Sequence, residues 1–289
     1  MSRIAYLNGR YVPFSEASVH IEDRGYQLGD GVYEVCEIRA GALVDERRHM
    51  ARLARSLREL RIDAPLGNAA FAFVLRETLR RNRVRDGILY IQVTRGVARR
   101  DHVFPSPAVR PSIVVTARAL DQRKTEAFAA EGISIITLPD NRWGRVDIKT
   151  IGLLPNVLAK QAARDAGARD AWFVDDEGYV TEGASANAWI VDESGVLITR
   201  PRSNRILAGI TMAVVNDLAV HEGMRFEQRP FTVSEAKRAR EAFLTSATQT
   251  VMPVVRIDGA PVGTGKPGPV TARLRQKFHS IAEIGAPVR

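Results

Sequence analysis

The hydrophobic residues of this chain change their spacing several times along the sequence, and this feature most narrows the folds open to it. Residues Val32 to Arg39 alternate between apolar and polar side chains, as in a strand with one buried face. Beyond them, Met50, Leu53, Leu57 and Leu60 recur every three or four residues, as on the buried stripe of a helix. Because hairpin signals interrupt the alternation of strands and helices, the pattern predicts an α+β fold rather than a doubly wound parallel sheet.

The other segments predict the rest of that fold. Asn8-Gly9 accepts positive φ angles and predicts a tight hairpin between strands at Ile4–Leu7 and from Tyr11 onward. A second turn is expected at Ala40-Gly41. Further strands are expected over residues 88–94, 112–117, 133–138, 171–174, 186–191, 196–199 and 242–245, and helices over residues 47–61, 69–81, 153–166 and 211–221.

A polar stretch indicates where the chain divides. With 289 residues, the chain is long enough for two medium domains. The apolar pattern lapses from Leu120 to Lys124. We therefore expect a smaller N-terminal domain over residues 1–119, a linker over 120–124 and a larger C-terminal domain over 125–289.

The chain is strongly basic, with 42 Lys and Arg residues against 33 Asp and Glu residues and a net charge of +9. Clustered basic side chains bind nucleic acids through counterion release, so a nucleic-acid-binding protein is one alternative. The basic residues are interleaved with acids, however, as in Arg58-Glu59-Leu60-Arg61. This pattern favours a solvated, arginine-rich surface and no nucleic-acid partner.

The sequence also indicates a cytoplasmic protein. Its single cysteine, Cys36, cannot form an internal disulfide, and the first residues, Met1 to Ala5, lack the apolar stretch of a signal peptide. No apolar run approaches the roughly 18 residues that a membrane helix needs. No membrane association is therefore expected.

Motifs of three other protein classes fit poorly. Gly263 to Gly268 matches the glycine pattern of dinucleotide-binding loops, but it contains Pro267 and lies near the C-terminus, which favours a turn before the last helix. Residues 183–187 read Gly-Ala-Ser-Ala-Asn and lack the second glycine of a serine-hydrolase motif. The histidines and the single cysteine show no metal-ligand spacing, so no metal site is expected.

Two ionisable residues stand in settings that suit catalysis. The chain has only six lysines, and Lys149 lies between apolar residues, where burial would favour the neutral amine that Schiff-base chemistry requires. The alternative is a lysine that extends to solvent. Glu182 follows a β-like stretch and precedes small residues, which would let a ring approach it closely. A surface or capping glutamate is the alternative for that position.

Two turns have sequences that suit a phosphate-binding site. Gly209-Ile210-Thr211 predicts a helix with Thr211 as its N-cap, and the free N–H groups at a helix start attract anions. The turn from Thr245 to Thr248 follows a strand, is rich in hydroxyls and could converge on the same anion. Each turn is also explained as an ordinary helix start or strand exit.

Taken together and in order, these segments closely resemble the class IV, or fold-type IV, pyridoxal-phosphate (PLP) aminotransferases. The resemblance covers about residues 4 to 278 and implies a two-domain α+β architecture with PLP between the domains, a PLP-binding C-terminal domain and a homodimer. The motifs that carry it are residues 22–34, Asp147-Ile148-Lys149, Thr181-Glu182-Gly183 with Asn187, residues 206–211 and Pro253-Val254.

The resemblance implies a role for individual residues. Lys149 would form the Schiff base with PLP and move a proton between the substrate Cα and the cofactor. Glu182 would pair with the pyridine nitrogen, so that the ring acts as an electron sink. Arg52, placed by helical phase away from the Met50/Leu53/Leu57 stripe, would bind the phosphate together with Ile210 and Thr211. The remaining expected cofactor-binding residues are Leu207, Ser185, Ser246, Ala247 and Thr248, where Ala247 replaces a threonine frequent in relatives.

The loop from Arg95 to Arg110 bears on the substrate. Its segment Arg99-Arg100-Asp101-His102 is similar to the R-x-H segment of D-amino-acid transaminases. Arg100 and His102 would reach in from the partner subunit and, with Tyr33, hold the substrate α-carboxylate, which a guanidinium fork matches. A solvated loop is the alternative.

The expected reaction moves an amino group between D-alanine-like amino acids and 2-oxo acids such as 2-oxoglutarate or pyruvate. The alternatives within the same family are a branched-chain L-amino-acid aminotransferase, an (R)-amine transaminase and an aminodeoxychorismate lyase.

Overall fold

The computed structural model describes residues 3–288 and divides them into two compact units. The first unit contains the chain up to Asp121 together with Ile148–Gly152 and the C-terminal residues from Glu283. The second unit contains Gln122–Asp147 and Leu153–Ala282. Met1, Ser2 and Arg289, which belong to the expected domain ranges, lie outside the described residues. Met1 and Ser2 also belong to the N-terminal stretch that lacks a signal-peptide pattern.

The first unit is built on a six-stranded antiparallel sheet. Its elements are β1 (Ile4–Leu7), β2 (Arg10–Pro13), a short 3-10 helix (Phe14–Glu16), α1 (Arg24–Leu28), β3 (Gly31–Arg39), β4 (Ala42–Leu43), α2 (Glu46–Glu59), α3 (Asn68–Asn82), β5 (Gly87–Thr94) and β6 (Ser112–Ala119). The strand order is β2-β1-β6-β5-β3-β4. The predicted hairpin is confirmed: Ile4 pairs with Pro13, and Asn8 and Gly9 have φ angles of 47° and 96°.

Helices α2 and α3 contribute to one hydrophobic core with this sheet. On β3, Val32, Cys36 and Ile38 are buried, as the predicted alternation requires. The buried face of α2 is formed by His49, Leu53, Ser56 and Leu57, whereas Met50 is only partly buried. The buried face of α2 therefore lies nearer to Arg52 than the Met50 stripe indicates, and the Arg52 side chain is only 9% exposed.

The second unit is built on a nine-stranded mixed sheet. Its elements are α4 (Gln122–Glu131), β7 (Ile133–Pro139), α5 (Leu154–Asp165), β8 (Asp170–Val174), β9 (Val180–Gly183), β10 (Asn187–Val191), β11 (Leu197–Thr199), α6 (Ile210–His221), β12 (Phe226–Gln228), α7 (Val233–Arg238), β13 (Glu241–Ser246), β14 (Thr250–Ile257), β15 (Ala260–Pro261) and α8 (Pro269–Ile281). The order is β12-β11-β10-β13-β14-β7-β8-β9, and β15 pairs with β14.

The predicted helices and strands are confirmed to within a few residues, and the mixture of helices with sheets in both units confirms the α+β class. Strand β14 is not predicted, because it contains Pro253 and proline cannot donate a hydrogen bond to a neighbouring strand. Residues 263–268 form a turn before α8, as expected, with Gly263 and Gly265 at φ angles of 53° and 70°.

Candidate active site

Lys149 lies against the first residues of β3. The Tyr33 N–H donates to the Lys149 carbonyl (3.0 Å), and the Ile151 N–H donates to the Gly31 carbonyl (3.1 Å). A Cβ on Gly31 would lie 2.7 Å from the Val93 carbonyl oxygen, so the strand needs glycine at this point. The segment around Lys149 is therefore tied to the first unit by backbone hydrogen bonds.

The amine of Lys149 sits over an aromatic ring. Its Nζ is 4.2 Å from the centroid of the Tyr33 ring, which in turn lies 5.7 Å from the Tyr90 ring. Burial, with a smaller contribution from Tyr33, raises the pKa of Tyr90 to about 12. Lys149 is half-buried rather than buried as the flanking apolar residues predict, and its neighbour Ile148 is the residue of this segment that lies in the core.

Arg52 is held by a buried carboxylate on β3. Glu34 accepts from Arg52 Nε (2.7 Å) and Nη2 (2.9 Å), and its Oε2 is 2.8 Å from His49 Nδ1. Burial alone would raise the pKa of Glu34, but the charge of Arg52 and the hydrogen bonds of Arg52 and His49 outweigh it and hold that pKa well below its usual value. The carboxylate is therefore ionised and fixes the guanidinium.

The residues expected to bind the substrate are not all together in this chain. Tyr33 is beside Lys149, whereas Arg100 and His102 are exposed on the loop between β5 and β6. Within residues 3–288, no hydrogen bond joins either loop side chain to Tyr33.

Glu182 lies at the end of β9 beside a buried arginine. Arg142 Nη1 donates to Glu182 Oε1, while Arg142 Nε and Nη2 donate to Asp140 at 2.8 and 2.7 Å. Burial alone would lower the pKa of Arg142, but the hydrogen bonds and charges of these two carboxylates raise it. Arg142 therefore stays cationic between two acidic side chains.

The second oxygen of Glu182 connects it to the start of α6. Glu182 Oε2 accepts from Asn187 Nδ2 (3.0 Å) and from the Leu207 N–H (3.1 Å), and Asn187 Nδ2 also donates to the Leu207 carbonyl (2.9 Å). A Cβ on Gly209 would lie 2.0 Å from Asn187 Oδ1. Glu182, Leu207 and the start of α6 are thus held together by Asn187.

The start of α6 differs from the prediction in one respect. Its N-cap is Gly209 and its first residues are Ile210 and Thr211, so the prediction of Thr211 as the N-cap is wrong. The close approach of Gly209 to Asn187 explains why glycine takes that position. The N–H groups of the first turn still mark the positive end of the helix dipole.

The second predicted turn follows β13. Ser246 Oγ is 3.4 Å from Thr248 Oγ1, and Ala247 lies between them. Thr245 is buried and accepts from Trp189 Nε1 (2.9 Å), so its hydroxyl is committed to the core. Ser185 is exposed in the turn between β9 and β10.

Sequence reasoning missed the roles of the residues that hold the predicted ones, although Glu34 and Asn187 stand in the family motifs. Glu34 fixes Arg52, while Arg142 and Asn187 fix Glu182. Arg142 is 40 residues from Glu182 in the chain, and no local pattern links the two. Glu34 has a weak signal, since it is an acid on the buried face of an alternating strand.

Within the described residues, no group of three or more His, Cys, Asp or Glu side chains is arranged to hold a metal ion. None of the helices in residues 3–288 is both long enough and apolar enough to cross a membrane.

Comparison with known proteins matches the chain to one family. The sequence model of the amino-transferase class IV family matches residues 31–257. A D-alanine aminotransferase of Bacillus licheniformis is 43% identical over 269 residues, covering 93% of each chain. A D-alanine aminotransferase of Staphylococcus haemolyticus is 40% identical over 279 residues, covering 96% of this chain and 97% of that one.

Solved structures agree with this match. The T.th. branched-chain amino acid aminotransferase with pyridoxamine 5'-phosphate has a TM-score of 0.89. It is 28% identical, and the alignment covers 97% of this chain and 94% of that one.

Proposed function

The chain belongs to the class IV aminotransferases, and we propose that it exchanges an amino group between D-amino acids such as D-alanine and 2-oxo acids such as 2-oxoglutarate or pyruvate. The observation that carries this proposal is the identity of 40–43% with D-alanine aminotransferases over nearly the whole chain. The branched-chain enzymes have a similar fold but lower identity. The D-amino-acid reaction is therefore preferred over the branched-chain one.

The side chains of the structure suit pyridoxal phosphate. The cofactor requires an amine for its aldehyde, an acidic partner for its ring nitrogen and donors for its phosphate. Lys149 offers the amine, the buried Glu182 offers the carboxylate, and the first turn of α6 offers backbone donors close to Asn187 and Leu207. When bound, pyridoxal phosphate supplies an electron sink that stabilises negative charge at the substrate Cα.

Each of these residues has a distinct task in the proposal. Lys149 holds the cofactor aldehyde and then, as a free amine, moves the proton at the substrate Cα. Glu182 keeps the ring nitrogen protonated, and Arg142 keeps Glu182 in place. The residues proposed to hold the phosphate and the ring are Arg52, Ile210, Thr211, Ser246, Ala247 and Thr248, with Leu207 against the ring and Ser185 at the edge of the set.

Substrate binding in the proposal uses two copies of the chain. Tyr33 acts in its own subunit, and Arg100 and His102 reach the substrate carboxylate of the partner. Their exposure supports this role, because a side chain that serves another subunit must be accessible in its own. Mixed dimers of Arg100→Ala and Lys149→Ala would carry one intact site. At a D-alanine concentration too low for Arg100→Ala to turn over appreciably, mixing it with the inactive Lys149→Ala should therefore restore about a quarter of the wild-type activity. If mixing restored no activity, the proposal that the partner subunit supplies Arg100 and His102 would be contradicted.

A homodimer also accounts for the exposed apolar side chains of the first unit. Ile21 and Tyr26 are each 75% exposed, and Val103 and Phe104 are exposed on the neighbouring loop. The two segments are adjacent, since the Ala98 N–H donates to the Glu22 carbonyl (3.3 Å). Such clusters mark protein interfaces. We expect light scattering to give twice the mass of one chain, and a monomer that is active would contradict the dimer.

We propose that the first unit is the smaller domain, that the second unit is the domain with most of the cofactor contacts, and that the protein works in the cytoplasm. The single cysteine, Cys36, is free and buried, which suits a reducing compartment.

The amino donor decides between the proposal and its main alternative. Initial rates are measured with D-alanine or L-leucine as donor and 2-oxoglutarate as acceptor. We expect turnover of D-alanine and none of L-leucine. Turnover of L-leucine alone would overturn the D-specific proposal in favour of a branched-chain enzyme.

The cofactor assignment has its own test. Protein purified with pyridoxal phosphate should be yellow, and borohydride should add the mass of the cofactor to the peptide that contains Lys149. A colourless protein that cannot be reconstituted, with salt-sensitive binding to nucleic acid, would support the nucleic-acid alternative instead.

A further inference from the structure

A buried cluster of two arginines and one aspartate lies beneath the loop that carries Arg100 and His102. Asp30 Oδ2 accepts from Arg24 Nε (2.8 Å) and from Arg95 Nε (2.7 Å), and Asp30 Oδ1 accepts from Arg95 Nη2 (3.0 Å). All three side chains are buried or nearly so. We call Arg24, Asp30 and Arg95 the Asp30 cluster.

Arg24 connects this cluster to the loop on both sides of His102. Its Nη1 donates to the Asp101 carbonyl (2.6 Å) and to the Val103 carbonyl (3.3 Å). One guanidinium therefore binds a carboxylate with one nitrogen and two loop carbonyls with another. A lysine ammonium is a single point donor on a flexible stem and cannot reproduce this fork.

Arg95 anchors the same loop at a second place. It donates to the carbonyls of Leu60 (2.7 Å) and Arg61 (2.8 Å) just beyond α2, and its guanidinium lies 3.6 Å from the centroid of the Phe104 ring. The loop is thereby joined to the helical layer of the first unit. The two arginines together hold residues 101 to 104, although the side chains of this stretch are exposed.

The position of Arg24 is itself fixed. Asp23 caps α1 by accepting from the Gly25 N–H (2.9 Å) and also accepts from Thr94 Oγ1 (3.0 Å). The Arg24 N–H donates to the Gly96 carbonyl (2.9 Å). The start of α1 is therefore tied to the end of β5, where the loop begins.

We propose that the Asp30 cluster, and Arg24 above all, positions Arg100 and His102 for recognition of the substrate carboxylate. The inference rests on the proposed function, in which those two side chains bind the carboxylate. Arg24 is a positioning residue, because it contacts the loop backbone and acts through its neighbours. Displacement of a binding group by about 1 Å can lower catalytic efficiency by up to roughly a hundredfold, and for groups that bind the substrate carboxylate we expect the loss to appear mainly in KM.

The test compares two Arg→Lys substitutions in the first unit. Arg24→Lys removes the fork beneath the loop. Arg76→Lys is the control, because Arg76, like Arg24, binds both a carboxylate and the backbone of the first unit. It donates to Glu46 through two nitrogens (both 2.9 Å) and to the Ala72 carbonyl (3.1 Å). We expect Arg24→Lys to raise KM for both D-alanine and 2-oxoglutarate roughly tenfold with kcat changed less than about threefold, and Arg76→Lys to change neither.

A double-mutant cycle separates positioning from a general structural role. In the background of Arg100→Ala and His102→Ala, the further change Arg24→Lys should add no increase in KM, because the side chains that it positions are gone. An equal increase in both backgrounds, or a loss of kcat alone, would overturn the proposal. If Arg24→Lys does not fold, Phe104→Leu takes its place, because it removes the ring that lies against Arg95 at a position that is 45% exposed. KM values for D-alanine and 2-oxoglutarate that stay at the wild-type level in Phe104→Leu would then overturn the role of the cluster.

The results distinguish this inference from the proposed function. Wild-type protein that fails to transaminate D-alanine would overturn both. Wild-type protein that transaminates D-alanine, with normal kinetics in Arg24→Lys, would overturn the inference alone.

Discussion

Replacing Glu34 by glutamine tests how far the buried ion pair on β3 supports the first unit. Glu34 is fully buried and accepts two hydrogen bonds from Arg52, whose side chain is only 9% exposed. Glutamine keeps the shape of the side chain but turns one acceptor into a donor that faces the donors of Arg52. The variant therefore removes the negative charge that two nitrogens of the buried Arg52 guanidinium bind.

The expected cost is large because both partners are buried. Removing one partner of a buried ion pair destabilises a protein by about 3–5 kcal/mol. At about 2–4 °C per kcal/mol, this corresponds to a fall in the thermal midpoint of roughly 6–20 °C. Glu46→Gln is the matched control: Glu46 binds Arg76 through two hydrogen bonds of 2.9 Å, but Arg76 is 45% exposed, so about 0.2–1 kcal/mol is expected.

Thermal unfolding followed by circular dichroism measures both variants. The low pKa of Glu34 adds a dependence on pH. The stabilisation is complete above the unfolded-state pKa of about 4.3 and is lost as pH falls toward the lower folded-state pKa. The gap between wild type and Glu34→Gln should therefore narrow below about pH 4. Equal midpoints for Glu34→Gln and Glu46→Gln at neutral pH would refute the reasoning.

Two further substitutions probe the surroundings of Glu182. Arg142→Met removes the cation that Asp140 and Glu182 share and should weaken the affinity for the cofactor about tenfold or more in a spectroscopic titration. Arg145→Met, at a more exposed arginine, is the control and should change that affinity little. An unchanged cofactor affinity in Arg142→Met would contradict its role. Gly209→Ala places a Cβ against Asn187 and should lower the free energy of unfolding in urea by about 1–3 kcal/mol. Gly144→Ala is the control, because the space around Gly144 is open. Equal stability of these two variants would contradict the close approach of Gly209 to Asn187.

The features that sequence predicted are those that neighbouring residues determine. The hairpin at Asn8-Gly9 depends on two adjacent residues that accept positive φ angles, and the strand β3 depends on its own alternation. Strand β14 was not predicted, because Pro253 is locally unfavourable in a strand. In the structure β14 pairs with β13 on one side and β7 on the other, and this pairing overrides the local preference. Local rules cannot weigh such pairing.

The candidate site divides in the same way. The family motifs led to Lys149 and Glu182, but not to the contacts that hold them. The membership of Ile148–Gly152 in the first unit arises from pairing with β3, far away in the chain. Similarly, glycine is needed at the start of α6 because Gly209 packs closely against Asn187. Capping rules consider only neighbouring residues, so they cannot predict this contact.

A single turnover of D-alanine tests the central claim most directly. The holoprotein is mixed with D-alanine in the absence of any 2-oxo acid, and the pyruvate formed is counted per subunit. A transaminase keeps the amino group and stops, so we predict one pyruvate per subunit from D-alanine, none from L-alanine and none from Lys149→Ala. Continuous release of pyruvate, or release from L-alanine alone, would contradict a D-amino-acid transaminase that works through Lys149.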